Sequence, residues 1–550
     1  MFLSPIAQCE QLPEYVIDIT PSGSESTEYL SSLIRTSQSR RAHFHSLELF
    51  RKERARNRNF TQSPTHRLSP DTLGVIFEYI CLSRPKKAWQ RPFCPTALGS
   101  ICSYWHHVAW STPRLWTRIR LDYTFWRGVG RNRLVQLYIQ NSQRMGLHIE
   151  IRNSPTADGR EGSLGIPGVD VFDTIFVRNP HKLESLEFCV YVETWLFLIR
   201  EISRLGRLTN LRNMRVKDSR DLIPVAGTSF SIYKVCALRE MTLDGLGGPF
   251  TCPWPQLVHL TLAVVSSDDA FAAIQYCSNL ESLRCQHLIH QDIWQPDIIP
   301  NFVQTFPHLE KIVWESTVPL SPLWNEALTH WFQFPSLRTL IFNMPIIVVK
   351  QASSFLFNLP RSISSLSLRV DLRNEVQNRV TKSLGSVKDI NILHRVLSLT
   401  PLLSILTLQC DLFFDPELMN LLTLRGAPTD LVPALRELVL VMSSPWSPEA
   451  STMFLKMVSS RRLRRGSDIQ QLDVVGLIVP NTKNIERWPR VFIDVMRELV
   501  QQGLNVVVNV QAEGLVDIDW SAPYRSAEEQ EAESASSCEL WTLNFLEIVI

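Results

Sequence analysis

The stretch "FPHLEKIVW" (306–314) sets Leu309, Ile312 and Trp314 at positions i, i+3 and i+5 behind a proline turn. The same spacing recurs in "LESLEF" (183–188), "LRNMRV" (211–216), "LREMTL" (238–243), "LVHLTL" (257–262), "LESLRC" (280–285), "LRTLIF" (337–342), "ISSLSL" (363–368), "LSILTL" (403–408), "LRELVL" (435–440) and "IQQLDV" (469–474), eleven copies in all. Starts lie 19 to 40 residues apart, and a turn such as "NPHKL", "CSNL", "FPSL", "TPLL" or "VPAL" leads into several of them. Repetition at this period predicts an α/β solenoid. Each copy supplies one short parallel strand, and the segment after it packs behind, because a single repeat cannot bury its own apolar face. The repeated apolar residues then point inward. Contact with a ligand falls to the residues between them, among which Arg239, His259, Arg284, Arg338 and Arg436 are the candidate substrate-binding side chains.

Outside the array the chain divides into recognisable parts. Residues 1–28 are polar and unpatterned and read as a disordered arm, and 29–63 read as a weakly amphipathic helical segment ending in the basic run "FRKERARNRN". Residues 64–120 form a small helical domain, 121–515 the repeat array, and 516–550 an acidic linker with an apolar end, "LWTLNFLEIVI". "SSRRLRRGS" (459–467) reads as an exposed loop, with a capacity for acidic peptides as its functional alternative.

Composition narrows the function. Lys plus Arg number 56 against 54 for Asp plus Glu, so no global field calls for a polyanion, and neither nucleic acid nor membrane is an expected partner. No apolar run is long enough to cross a bilayer, and the start of the chain lacks a basic leader, which predicts a cytoplasmic or nuclear protein. The 11 cysteines contain no C-x-x-C pair and read as reduced thiols. Cys94, Cys102, His106 and His107 match no zinc-finger spacing, so no metal is assigned. Phosphate-binding loops, nucleophile elbows and kinase motifs are missing, and pairs such as Asp268 and Asp269 face no obvious base; no cofactor or catalytic residue is assigned.

Within 64–120, Ser69-Pro70-Asp71 opens a helix, and Leu73, Ile76, Phe77 and Ile80 form an apolar stripe at three- and four-residue steps. A second helix is expected to carry Leu98, Ile101, Cys102 and Trp105 at similar spacing. The whole segment, "LSPDTLGVIFEYIC" (68–81) with "ALGSICSYWHHVAWSTPRLW" (97–116), resembles the F-box, in the form abundant in mushroom-forming fungi, which ends in Cys-x-x-Trp and Thr-Pro-x-Leu-Trp. Ser69 departs from it where a second proline is common, as does the basic loop 84–92.

That resemblance implies a docking unit for a Skp-type adaptor, with Leu68, Pro70, Leu73, Ile76 and Phe77 at or near the interface. Leu98, Ile101, Cys102, Trp105, Leu115 and Trp116 would form its core. The array resembles the leucine-rich-repeat horseshoe that often follows a fungal F-box. It departs eight residues after the first leucine, where the usual Asn or Cys is replaced by Leu246, Val265, Leu288, Thr317 and Pro345 in five copies. Together the resemblances imply a non-catalytic adaptor of a cullin ubiquitin ligase, holding a protein substrate near enzymes it does not contain. The alternative is an interaction scaffold without ligase function.

Overall fold

In the computed structural model the residues described are 25–62, 64–82, 94–122, 131–152, 169–190, 198, 200–202, 208–218, 230–232, 235–245, 250–289, 303–315, 327–345, 353–371, 386–410, 416–426, 430–442, 448–463, 470–479, 488–510 and 514–516. Most of the expected arm, the basic loop 84–92, Leu246, Thr317 and the segment 517–550 lie outside them. The chain forms two compact units, Met1–Leu115 and Trp116–Ile550.

The first unit is helical. It contains α1 (Glu25–Gln62), α2 (Pro70–Leu82), α3 (Pro95–Gly99) and α4 (Ser103–Ser111). Proline starts both α2 and α3, where a missing N–H costs nothing. Ser69 Oγ accepts the Thr72 N–H at 3.2 Å, which caps α2. The single helix expected through Leu98 and Trp105 is two helices. Cys102 is extended, at φ −156° and ψ 169°, and its Sγ accepts the Trp105 N–H as the cap of α4. Gly99 lets α3 approach this helix: a Cβ there would lie 2.3 Å from Cζ3 of Trp110.

The second unit is mixed α/β, built on one 15-stranded sheet whose strands succeed one another in chain order. They are β1 (Arg118–Asp122), β2 (Leu147–Arg152), β3 (Leu183–Val190), β4 (Asn213–Asp218), β5 (Glu240–Asp244), β6 (His259–Ala263), β7 (Ser282–Gln286) and β8 (Lys311–Glu315). The series continues with β9 (Thr339–Pro345), β10 (Ser365–Asp371), β11 (Ile405–Cys410), β12 (Glu437–Met442), β13 (Val474–Val479), β14 (Asn505–Val510) and β15 (Gly514–Val516). Every pair is parallel except β14 with β15.

The repeat spacing sets the register. The i+3 residues Leu283, Ile312 and Leu340 stand side by side on neighbouring strands, as do the i+5 residues Cys285, Trp314 and Phe342, and all six are buried. Ahead of each strand the i+1 carbonyl takes two N–H groups from the next repeat. Glu310 O accepts from Arg338 and Thr339, and Arg338 O from Ser364 and Ser365, all at 2.9 Å. Helices pack behind the leucines: α5 (Arg131–Asn141), α6 (Ser267–Gln275), α7 (Ser386–Leu399), α8 (Pro416–Leu422), α9 (Pro448–Leu463) and α10 (Arg490–Gln501). α10 buries Phe492, Met496 and Leu499, and Phe492 meets Phe454 of α9 at 5.9 Å between ring centroids.

Two readings of the array change. The last copy is Leu472, Val475 and Leu477 rather than "IQQLDV", since β13 begins at Val474. An additional copy precedes the others. Trp116, Ile119 and Leu121 share the i, i+3, i+5 spacing and are buried, and His148 N–H bonds Thr117 O at 2.8 Å as in the later repeats. Trp116 therefore belongs to the sheet unit, edge-on to Tyr138 of α5 at 5.1 Å, and not to the helical core assigned to it.

After the strand, the i+7 residue is left-handed in three consecutive repeats: Gly245 at φ 78°, Val264 at 52° and His287 at 47°. Each donates its N–H to the following strand: Gly245 to Ala263 O, Val264 to Gln286 O and His287 to Glu315 O. Beyond that turn Val265 and Leu288 are buried, so apolar packing fills the position that departs from the usual Asn or Cys.

Candidate functional site

α2 carries apolar residues on two sides, and the structure decides which side is core. Leu73 and Phe77 face inward; the Phe77 ring lies 4.9 Å from that of Trp105. Trp105 is fixed in turn, its Nε1 donating to Thr65 Oγ1 at 3.1 Å, and Tyr104 OH donates to Leu68 O at 2.7 Å. Leu73 and Phe77, expected at a partner interface, are thus interior residues. Leu98 and Leu115 are also buried, while Cys102 and Trp105 are half-buried.

The outward side of α2 holds Val75 at 66%, Ile76 at 39% and Tyr79 at 78% exposure, and beyond α3 Ile101 is 57% exposed. Ile101 is therefore a surface residue and not part of the core. The turn at Ser100–Cys102 separates it from the stripe that contains Leu98. Pro70 is exposed at the start of α2, and Leu68 is half-buried. Periodicity could not separate the two sides of α2, since 75 and 79 repeat with the same helical spacing as 73 and 77.

On the sheet, side chains at i+2, i+4 and i+6 alternate with the leucines and face away from the helices, as the burial pattern of β3 shows. Arg284 lies in this open face on β7, bonded to Glu315 Oε2 of β8 at 3.0 Å. Burial pushes the Glu315 carboxyl up, but hydrogen bonds from Gln286 and Arg284 outweigh it and hold the group below its ordinary range. His259 is exposed at the start of β6. Arg239, Arg338 and Arg436 are exposed one turn earlier, at the entry edge, where their carbonyls serve the i+1 ladder. Arg239 also donates to Gln256 O at 3.3 Å, and Arg436 Nε donates to Gln470 Oε1. The five candidates are spread between β5 and β12 and converge on no single point.

The open face of β1–β5 is a charge network that the repeat motif did not reveal. The Glu150 carboxylate on β2 is buried and meets Arg118 at 3.3 Å, Arg120 at 2.8 Å and the Arg152 guanidinium. Burial alone would raise its pKa, yet Arg120, Arg152 and Arg118 together bring it below the ordinary value. Arg215 reaches Glu187 at 3.6 Å, and Lys217 reaches Asp244 at 3.5 Å. A cavity of about 540 Å³ at the entry edge is lined by Arg144, His181, Lys182, Glu184, Asn210 and Arg212, among others. Lys182 Nζ there donates to the carbonyls of Ile139 and Gln143 at 2.8 and 2.7 Å, which assigns it to holding the turn.

The basic segment 459–467 is likewise structural where it is described. Its first part ends α9, Arg461 is buried, and Arg462 donates to Leu472 O at 3.3 Å and Gln502 O at 2.6 Å. Residues 459–463 therefore belong to a helix and not to an exposed loop, and 464–467 lie outside the described residues. No group of three or more His, Cys, Asp or Glu residues among the described residues is placed to hold a metal. No described helix is long and apolar enough to cross a membrane. Burial raises the pKa of the Cys81 thiol to about 11, with Cys94 adding to the effect, and burial also raises those of Cys277 and Cys285.

What the fold defines is a helical unit followed by a mixed α/β unit on a long parallel sheet. No family model matches the chain, and no curated protein matches it.

Proposed function

We propose that this chain is a non-catalytic substrate adaptor of a cullin ubiquitin ligase, working in cytoplasm or nucleus. The helical unit is an F-box that binds a Skp-type adaptor, and the sheet unit is a leucine-rich-repeat array that binds a protein substrate. One observation carries the reading: the helical unit leaves Val75, Ile76 and Tyr79 of α2 exposed on its outward side, and Ile101 exposed after α3, while Leu73, Phe77 and Trp105 close the core. A small unit that leaves such a set in water has unfinished burial, which a partner helix completes at roughly 25 cal/mol per Å² before association costs. The F-box resemblance of residues 68–116 names the kind of partner.

The test is co-expression of the full chain with a Skp-type adaptor and a cullin, followed by co-purification. The wild type is expected to retain both partners. The double variant Val75→Asp, Tyr79→Asp, which changes only outward side chains, is expected to lose both while keeping its helical circular dichroism. Retention of the adaptor without the cullin would favour an interaction scaffold, and retention of neither by the wild type would reject the reading.

A further inference from the structure

The turns that lead into β2, β3 and β4 converge on the cavity of about 540 Å³ at the entry edge. Its volume falls in the range of about 300–1,000 Å³ common to ligand sites, but its lining is largely polar and charged. Arg144 comes from the first turn, His181 and Lys182 from the second, and Asn210 and Arg212 from the third, with Glu184 at the start of β3. Three cationic side chains therefore meet one carboxylate. The repeat does not require them, since its packing is supplied by the buried Leu183 and Leu211 beside them.

These cations are poorly neutralised. Arg212 lies 4.0 Å from Glu184, at the limit of an ion pair, with the arginine side chain 67% exposed. The Glu184 carboxylate lies over Gly146, where a Cβ would collide with it. Arg144 is exposed and makes no ion pair among the described residues. Lys182 donates two N–H groups to the carbonyls of Ile139 and Gln143 and keeps a third. Burial lowers its pKa, and no carboxylate opposes that shift.

The Lys182 bonds also fix the frame of the cavity. They hold the turn after α5, in which Gln143 is left-handed at φ 52°, and Asn210 Nδ2 donates to His181 O at 2.5 Å, joining the second turn to the third. A ligand then has only the exposed arginines to order, which keeps the cost of binding low.

Charge selects the ligand. Arg144, Lys182 and Arg212 against Glu184 leave two positive charges in excess, and the C-terminal end of α5 offsets about half a charge of these. A single carboxylate would leave the site positive. A phosphate monoester carries about −1.5 to −2 at neutral pH and offers three strong acceptor oxygens, which matches the excess and suits two guanidinium forks. We propose that this cavity binds a phosphate monoester, with Arg144 and Arg212 closing on its oxygens beside the fixed Lys182 ammonium. The ester arrives as a phosphorylated side chain of a protein ligand or as a free small molecule. The site belongs to the sheet unit alone and does not depend on the ligase reading.

The test is calorimetric titration of the full chain with phenyl phosphate and with phenyl sulfate, its singly charged isostere. Phenyl phosphate should bind saturably and about tenfold or more tighter than the sulfate. Arg144→Gln and Arg212→Gln, both at exposed positions, should each weaken it about tenfold. Lys456→Gln, which removes one exposed charge on α9, should leave the affinity unchanged. A degenerate peptide library with a fixed phosphoserine separates the two sources: binding tighter than phenyl phosphate identifies a protein ligand, and binding no tighter identifies a free ester. The proposal is overturned if neither phenyl phosphate nor the phosphopeptides bind saturably, or if phosphate and sulfate esters bind equally. Arginine variants that keep wild-type affinity, or a loss in Lys456→Gln as large as theirs, would overturn it as well.

Discussion

Arg461 Nε donates to the carbonyl oxygen of Leu422 at 2.8 Å from a wholly buried position, tying the end of α9 to the end of α8. Its other nitrogens reach Val432 O at 3.0 Å and Leu431 O at 2.9 Å, and Val432 sits at the left-handed φ of 45°. Burial lowers the guanidinium pKa to about 10 against the opposing pull of Asp430, so it remains charged at neutral pH. The planar fork satisfies three carbonyls that water cannot reach.

Arg461→Met keeps the aliphatic stem but orphans those carbonyls, at a cost of about 3 kcal/mol. Hydrogen exchange should show protection lost first over 418–432 and 453–463. Arg461→Lys should recover only a fraction of it, because one ammonium cannot replace the fork. Protection in Arg461→Met equal to the wild type would show that the clamp is dispensable.

Glu150→Gln removes the one acid among Arg118, Arg120 and Arg152 and should destabilise the start of the array by about 2 kcal/mol at neutral pH. The sign with pH follows from the lowered carboxyl pKa. Its stabilisation is complete above the ordinary value of 4.5 and is lost as pH falls through the lower folded value. The gap between wild type and variant in urea titrations should therefore narrow below that pH; a gap that widens in acid would contradict the assignment.

Gly99→Ala drives a methyl group into the Trp110 ring and should cost about 2 kcal/mol through overpacking. Adding Trp110→Leu to this change should recover part of the loss. Near-ultraviolet circular dichroism during thermal melting reads both effects.

Val264 is β-branched at φ 52°, a conformation that costs of order 1 kcal/mol or more in strain. Val264→Asn should raise the midpoint of unfolding of the array by relieving it, and Val264→Ile should not. Equal midpoints would mean that the neighbouring repeats already absorb the strain.

These particulars also mark how far the sequence could be read. The strands of the array were legible because one repeat shape must recur for each to bury the next. Trp116 was hidden from that pattern by size, filling a leucine position with an indole, and by lying inside the Thr-Pro-x-Leu-Trp motif. The slip at 469–474 came from phase: Ile469 and Leu472 stand three apart, as Leu472 and Val475 do. On α2 both flanks are apolar, and only the position of Trp105 on α4 assigns Phe77 to the core and Tyr79 to water. Ion pairs such as Arg120 with Glu150 join residues about 30 positions apart, and no local pattern announces them.

The proposed adaptor function requires the outward side of α2 to meet a partner. Hydroxyl-radical footprinting of the purified chain, with and without a Skp-type adaptor, reads it at Val75 and Tyr79. Both should be oxidised in the free chain and protected in the complex, while Leu73 and Phe77 should be protected in both. Binding of the adaptor with Tyr79 still fully reactive would contradict it.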